Sequence, residues 1–516
     1  VVFLLYNNKS VISFLEQHKK SPQLAVDMVG GNSGGVDGGC ANVVSDDEVN
    51  KRGEVNCSCD KVDNGGKVGH SDGASGSCGG GCVEIENMQG ENMTEFNQKR
   101  YSQSLSDMVK IATVSHGDEE RTDNIDAMQD YLRKRFKNVA SQCEWRDFDG
   151  GLLIKWKGKD SAKKPLVLMS HMDVVSAGDG WNFEPFGGKI EDGKIFGRGT
   201  ADTKGSLCAI FESVEKLIDD HFAPCSDIYI LSSSREEVAG KDARLMAQYF
   251  VDNGICPSLL VDEGGAILDK PMAGVEGEYA MIAMSERSSA KLYLQGNAEA
   301  VAALEKKAVK AKLIKSVFPP EVEEMFRRLS KTMTQPMKFV FKNFNVFRGL
   351  LLKLLPKISA QAGAMVKPSV AFKPSDNEDY ARSCTIASTF YLDIDKVVAS
   401  FEKLANKCGV SVTTQTVRKA PRPTDFDHDG IKLVERAVVE SMPSVAPTPF
   451  IIFGGTDARH FVDVVDCVAR FAPLKMNTEI VASVHNKNEY IFEDSVLGAV
   501  KFYCKLIQLF DNEDKE

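Results

Sequence analysis

Three short apolar runs in this chain each end on acidic or imidazole side chains. KPLVLMS leads into His171-Met172-Asp173, DIYILSSS into Arg235-Glu236-Glu237, and PSLLV into Asp262-Glu263. A short apolar run bounded by turn-forming residues is the signature of a strand buried on both faces. Between the runs lie stretches of helical spacing, such as GSLCAIFESVEKL, with Leu207, Ile210, Phe211, Val214 and Leu217 apolar. Strands alternating with helices predict an α/β layer: a mostly parallel sheet with helices on both faces. In open sheets of that kind the ligand crevice lies at the carboxyl ends of the strands, which is where these acids fall.

At 516 residues the chain exceeds one ordinary domain of ~50–250 residues. Ser104 to Ile111 and Ile125 to Phe136 read as amphipathic helices, the second with Ile125, Met128, Tyr131 and Leu132 on one face. The texture changes near Glu286. From Ala298 to Ala364 the sequence is helical, rich in Lys and Arg, and punctuated by Pro319-Pro320 and Pro356. After TIASTFYLDI (Thr385 to Ile394) and a helix from Lys396 to Asn406, α/β texture returns with FIIFGGTDARHF. These changes predict a catalytic domain in two pieces, 97–280 and 416–516, around an inserted smaller α+β domain of lid or dimerisation type at 281–415. Residues 1–96 form a Gly/Ser/Cys-rich extension too poor in apolar surface to offset ordering entropy.

Five of the 13 cysteines fall in that extension. Cys57, Cys59, Cys78 and Cys82, with His70 between, show no metal-ligand spacing and read as unliganded thiols. Asn8, Asn56 and Asn92 begin Asn-X-Ser/Thr triplets. A net charge of −10 argues against nucleic acid or an anionic membrane as partner of the whole molecule. No apolar run reaches the ~18 residues of a membrane span. The first residue, Val1, leaves the compartment open between cytoplasmic and secretory or vacuolar.

Four places set candidate metal ligands beside a strand or a helix: His171 with Asp173, Asp202 ahead of a helix, Glu236-Glu237, and Asp262-Glu263; His485 in SVHNKNEY is a late fifth. Residues i and i+2 of a strand point the same way, so Asp173 is placed to accept the second ring N–H of His171, the usual outer partner of a metal-bound histidine. Each has a plainer reading taken alone. His171 fits a structural core histidine, Asp202 a helix cap, and the paired glutamates a solvated loop.

Together the motifs carry a resemblance. SHMDVV, GWNFEPFGG, DGKIFGRGTADTKG, REEVAG, VDEGG, GGTDAR and the late His occur in the order seen in the co-catalytic zinc peptidases, which include carboxypeptidase S, aminoacylase, carboxypeptidase G and succinyl-diaminopimelate desuccinylase. The span from Tyr101 to Phe510 is similar to that family, most of all to its carboxypeptidase S and secreted N-acyl-amino-acid amidase branch. The resemblance implies two Zn²⁺ ions, with Co²⁺ or Mn²⁺ as substitutes. His171 and Asp262 would hold one ion, Glu237 and His485 the other, and Asp202 both. Glu236 would be the general base toward the attacking water, with Asp173 behind His171. Arg459 would grip the substrate's free α-carboxylate, with Gly454, Gly455 and Thr456 shaping the wall.

The implied substrate is a small peptide or an N-acyl amino acid, and the implied assembly a homodimer through the inserted domain. Asn297 stands where family members carry a lid histidine that polarises the scissile carbonyl. That departure keeps two other readings in play: a deacylase of small metabolites, and an impaired metal-binding relative. The apolar, basic run Phe339 to Ile358 reads either as a greasy wall or lipid-touching patch, or as a lid helix packed on its own sheet.

Overall fold

Alternation along the strand Leu166–Met169 explains the layering. All four side chains are buried, Leu166 and Leu168 in one apolar cluster and Val167 and Met169 in another. A strand buried on both faces needs cover on both. Helices Gly205–Asp219 and Glu493–Asn512 share the first cluster through Leu207, Phe211, Val500 and Leu506. Helix Asp242–Asp252 covers the other face with Ala243, Met246 and Phe250. The protein is seen in a computed structural model that describes residues 95–512 apart from 273, 310, 336 and 381. The extension's cysteines, His70 and the three Asn-X-Ser/Thr triplets lie outside the described residues.

The large sheet runs, edge to edge, through Glu144–Phe148, Gly151–Trp156, Ile228–Ser232, Leu166–Met169, Leu259–Asp262, Cys467–Arg470, Glu278–Ser285, Ile267–Asp269 and Lys475–Met476, while Val445–Ile451 pairs with Glu278–Ser285. Its middle pairings, from Ile228–Ser232 across to Cys467–Arg470, are parallel. Their carboxyl ends therefore open on one side, and three of them lead into the acidic motifs.

A three-stranded ribbon joins Lys189–Glu191, Lys194–Phe196 and Tyr490–Phe492. Asp192 and Gly193 make its turn with φ of +50° and +72°, the left-handed pair that a two-residue hairpin requires. Its third strand draws the 485–489 loop against residues 197–202, where Gly197 N–H donates to the Glu489 carbonyl at 2.9 Å.

A separate antiparallel sheet runs Ser369–Pro374, Arg382–Thr389, Arg287–Gln295, Ser411–Arg418. Helices Ala298–Ala308 and Ile394–Asn406 bury one face of it, on Ala290, Leu292, Leu294, Cys384 and Ile386. Strand Arg382–Thr389 ends inside the TIASTFYLDI stretch. Asp393 then caps the following helix, accepting from the N–H groups of Asp395 at 3.0 Å and Lys396 at 3.3 Å.

The Phe339 to Ile358 run folds as helices Met337–Lys342 and Phe344–Ile358. Phe341, Phe344, Leu351 and Leu355 are buried in the first apolar cluster, while Val346 is 80% exposed. The run thus packs on the cluster of the large sheet rather than on the antiparallel sheet, with Phe339, Leu350 and Leu354 also exposed. Among the described residues no helix is long and apolar enough to cross a membrane.

Candidate active site

Extended hydrogen bonding continues past Met169, with Ser170 N–H donating to Leu231 O at 3.1 Å and Met172 N–H to Ser233 O at 2.9 Å. This carries buried His171 beyond the sheet edge. Its Nε2 lies 3.2 Å from Asp202 Oδ1, and its Nδ1 3.0 Å from the carbonyl oxygen of Asp173. The Asp173 carboxylate is farther from the ring, at 3.4 Å. It also accepts the backbone N–H groups of Glu236 at 3.1 Å and Glu237 at 3.2 Å. The backbone of Asp173 thus orients the histidine, while its side chain pins the turn that bears the two glutamates.

That turn, Glu236–Val238, is a single 3₁₀ turn. Gly240 lets it close: a Cβ there would come within 2.3 Å of Arg235 Cβ. Glu237 faces His485, whose Nε2 lies 2.8 Å from Glu237 Oε2 and 3.1 Å from Asp202 Oδ2. Asp202 therefore offers one oxygen to each histidine. Donor atoms of His171, Asp202 and Glu237 all lie within 4.8 Å of one another.

Asp262 ends its strand and is buried, and its Oδ2 accepts the Ala458 N–H at 2.9 Å. Next to it, buried Glu263 lines a small recess with Asp202 and Thr203. A larger cleft of about 360 Å³ opens from Glu236, Glu237 and His485 toward the antiparallel sheet. Gly454, Gly455, Thr456 and Arg459 line it. Arg459 donates to Lys419 O at 3.0 Å and stands 3.9 Å from Glu286. A Cβ on Gly455 would come within 3.1 Å of that Arg459 guanidinium.

Asn297 is not brought to this place. It is exposed at the start of helix Ala298–Ala308, its side-chain oxygen occupied by the Ala300 N–H at 2.8 Å. In the single chain it serves as a helix cap, while family members often supply this lid position from across a dimer.

The profile of peptidase family M20/M25/M40 matches residues 167–509. The chain belongs to that family. It is 28% identical over 464 residues to the N-fatty-acyl-amino acid synthase/hydrolase PM20D1 of Xenopus tropicalis, covering 82% of this chain and 88% of that protein. It is 24% identical over 454 residues to "Probable carboxypeptidase S-like 2" of Dictyostelium discoideum, covering 81% and 86%. The fold resembles the M20 metallo-carboxypeptidase Sso-CP2 of Sulfolobus solfataricus, with a TM-score of 0.56 at 17% identity over 80% of this chain and 99% of that one. It also resembles human carnosine dipeptidase 1, with a TM-score of 0.58 at 14% identity over 80% and 96%. This M20 chain is thus a hydrolase of the metallopeptidase/amidohydrolase kind, in a family that generally binds a dinuclear metal centre.

The electrostatics of the M20 site fit such a centre. Burial alone would keep His171 neutral, yet hydrogen bonds to Asp173 and Asp202 outweigh it and raise its pKa well above the ordinary value. Burial likewise opposes charge on His485, but Glu237 and Asp202 lift it to about 10. Burial pushes Glu236 up well above the usual carboxylate range, reinforced by Glu263, Asp457 and Glu237. Glu263 rises to about 8 for the same reason, beside Asp202 and Asp262. Buried carboxylates at this density need positive partners, and two imidazoles do not supply enough. Nitrogen and oxygen donors converging from several sides suit divalent cations.

Sequence reasoning missed the supports. Buried Arg198 pairs with buried Glu489 at 2.6 Å and donates to Asn486 O at 2.8 Å. Glu489 in turn accepts the N–H groups of Ala201 at 2.8 Å and Asp202 at 3.2 Å. One ion pair so fixes the Asp202 turn against the loop of His485. An Arg immediately before GTADTKG and a Glu four after His485 gave no local hint of pairing.

Proposed function

We propose that this chain hydrolyses the amide bond next to an amino acid with a free carboxylate, as a metallocarboxypeptidase or N-acyl-amino-acid amidase, with two zinc ions as cofactors. The observation that carries this is Asp202, set between His171 and His485 with one oxygen toward each. His171 and Asp262 would hold one ion, through the Asp262 oxygen not bonded to Ala458, with Glu263 beside them. Glu237 and His485 would hold the other, and Asp202 would touch both. When bound, such ions supply Lewis acidity to the scissile carbonyl and lower the pKa of water.

The protein's own part is proton transfer and positioning. Glu236 takes a proton as the new C–O bond forms from water, then returns it to the departing nitrogen as the C–N bond breaks. Asp173, through two backbone N–H groups, fixes where Glu236 points. Arg459 presents a guanidinium fork to the substrate's α-carboxylate. We read 281–415 as a lid, because its antiparallel sheet lines the cleft. The names of the relatives, an acyl-amino-acid hydrolase and a carboxypeptidase, support this substrate class.

The test is Glu236→Gln assayed on dipeptides and N-acyl amino acids with zinc content measured in parallel. Lost turnover with zinc retained supports the assignment, whereas full turnover contradicts it.

A further inference from the structure

Four arginines of the described core are at least nine-tenths buried, and three of them have a carboxylate partner. Arg198 pairs with Glu489 at 2.6 Å, Arg235 with Asp149 at 2.8 Å and Arg470 with Glu286 at 2.9 Å. Arg287, 6% exposed, differs. Its Nη2 donates to Ser369 Oγ at 3.0 Å and Ala387 O at 2.6 Å, and its Nε has no acceptor. Among the described residues no carboxylate pairs with it. Its guanidinium lies 5.7 Å from the centre of the Phe453 ring and lines the cleft. Burial lowers its pKa only to about 10, so it is a cation at neutral pH. A buried cation without a counter-ion is costly to keep, and a ligand anion arriving through the cleft offsets that cost.

The surrounding wall points the same way. Alternation along the antiparallel sheet sends Ala290, Leu292 and Ile386 into the helices and Lys291, Lys373, Thr385 and Arg418 to the cleft. Lys291 is paired with Asp376, but a fatty chain laid on this face would strip water from Arg287, Lys373 and Arg418 and return nothing, whereas an anionic tail would pair with them.

We infer that Arg287, with the Ser369 hydroxyl beside it, is a second anion subsite of the cleft, and that the preferred substrates carry a carboxylate at the far end of the acyl group. This rests on the amide-hydrolase reading and narrows its substrate class to amino acids acylated by a dicarboxylic acid. Arg459 takes the α-carboxylate, and Arg287 takes the acyl-end carboxylate.

The test compares an N-glutaryl amino acid with its neutral isostere, the N-(5-methylhexanoyl) derivative, on zinc-loaded protein. One charge-assisted contact corresponds to about 10- to 100-fold in kcat/KM, expected mainly in KM. Arg287→Gln should bring the ratio of the two substrates close to one. Arg287→Lys, which keeps the charge and loses the fork, should fall between, and it serves if the Gln variant does not fold. Calorimetry of both compounds on the Glu236→Gln protein reads the same preference without turnover. A wild-type protein that takes the isostere as well as the glutaryl compound, or a preference that survives Arg287→Gln, overturns the subsite. If neither amide is cleaved yet the glutaryl compound binds tenfold tighter, the hydrolase reading fails and the subsite stands. If both are cleaved alike, the reverse holds.

Discussion

One end of the cleft is acidic and the wall formed by the antiparallel sheet is basic, and each sign arises from a different kind of backbone. Glu236, Glu237 and His485, which line the cleft, and His171, Asp202 and Asp262 behind them sit on turns or at strand ends. No ladder dictates where turn residues point, and partners from distant segments do so instead: Asp173 for Glu236 and Glu237, Glu489 for Asp202. On the wall, Lys291, Lys373 and Arg418 belong to strands, and the alternation of the sheet alone turns them to the cleft. The acidic end carries more carboxylates than cations, and on the wall Lys291 is balanced by Asp376 while Arg287 has no carboxylate partner among the described residues. Cations satisfy the first and a substrate anion the second, so one cleft recruits two kinds of ligand.

Removing the general base is the severest way to break this contrast. Glu236→Gln should cut kcat by about 10²–10⁴-fold while zinc content stays at the wild-type level. Next comes the shared carboxylate: Asp202→Asn should weaken both metal sites, His485→Ala only one, as read by equilibrium dialysis. Arg198→Met leaves Glu489 buried without its partner, a loss of about 3–5 kcal/mol for a pair of this kind. Chemical denaturation should show that drop, and zinc affinity should fall with it because the Asp202 turn loosens.

A subtler break uses pH at the boundary between the acidic end and the wall. Burial and the neighbouring Arg459, Arg244 and Arg418 hold His460 down to about 4, below the ordinary histidine value near 6.5. The folded state therefore resists protonation that the unfolded state accepts. This contribution to stability is constant above about pH 6.5 and declines as pH falls toward 4. His460→Gln should flatten that part of the stability profile, and an NMR titration of the ring should show it neutral at pH 5. Smallest of all, Asn297→Ala removes a helix cap and should cost about 1 kcal/mol. A large loss of turnover with unchanged stability would instead return Asn297 to the chemistry.

The alternation of strands and helices was legible because apolar runs, hairpin pairs and helix starts are local signals, whereas the five candidate ligands came from the resemblance of the motifs taken together. Tertiary partners stayed hidden. Spacing placed Asp173 beside His171, and its carboxylate does lie 3.4 Å from the ring, but its bonds to N–H groups more than sixty residues away were not legible. Arg198 and Glu489 meet across 291 residues, and nothing local announces such a pair. The distinction of Arg287 lies in a missing counter-ion, a property no sequence displays. Asn297 invited a catalytic reading through its place in an aligned segment, although Asn ahead of AEAVAALEKKA is equally the opening of a helix.

Zinc titration of the purified chain by equilibrium dialysis, with Asp202→Asn alongside, probes the shared carboxylate most directly. Two ions per wild-type chain, with both affinities reduced in the variant, is the predicted result. A single ion at saturation, or two sites indifferent to Asp202, would contradict it.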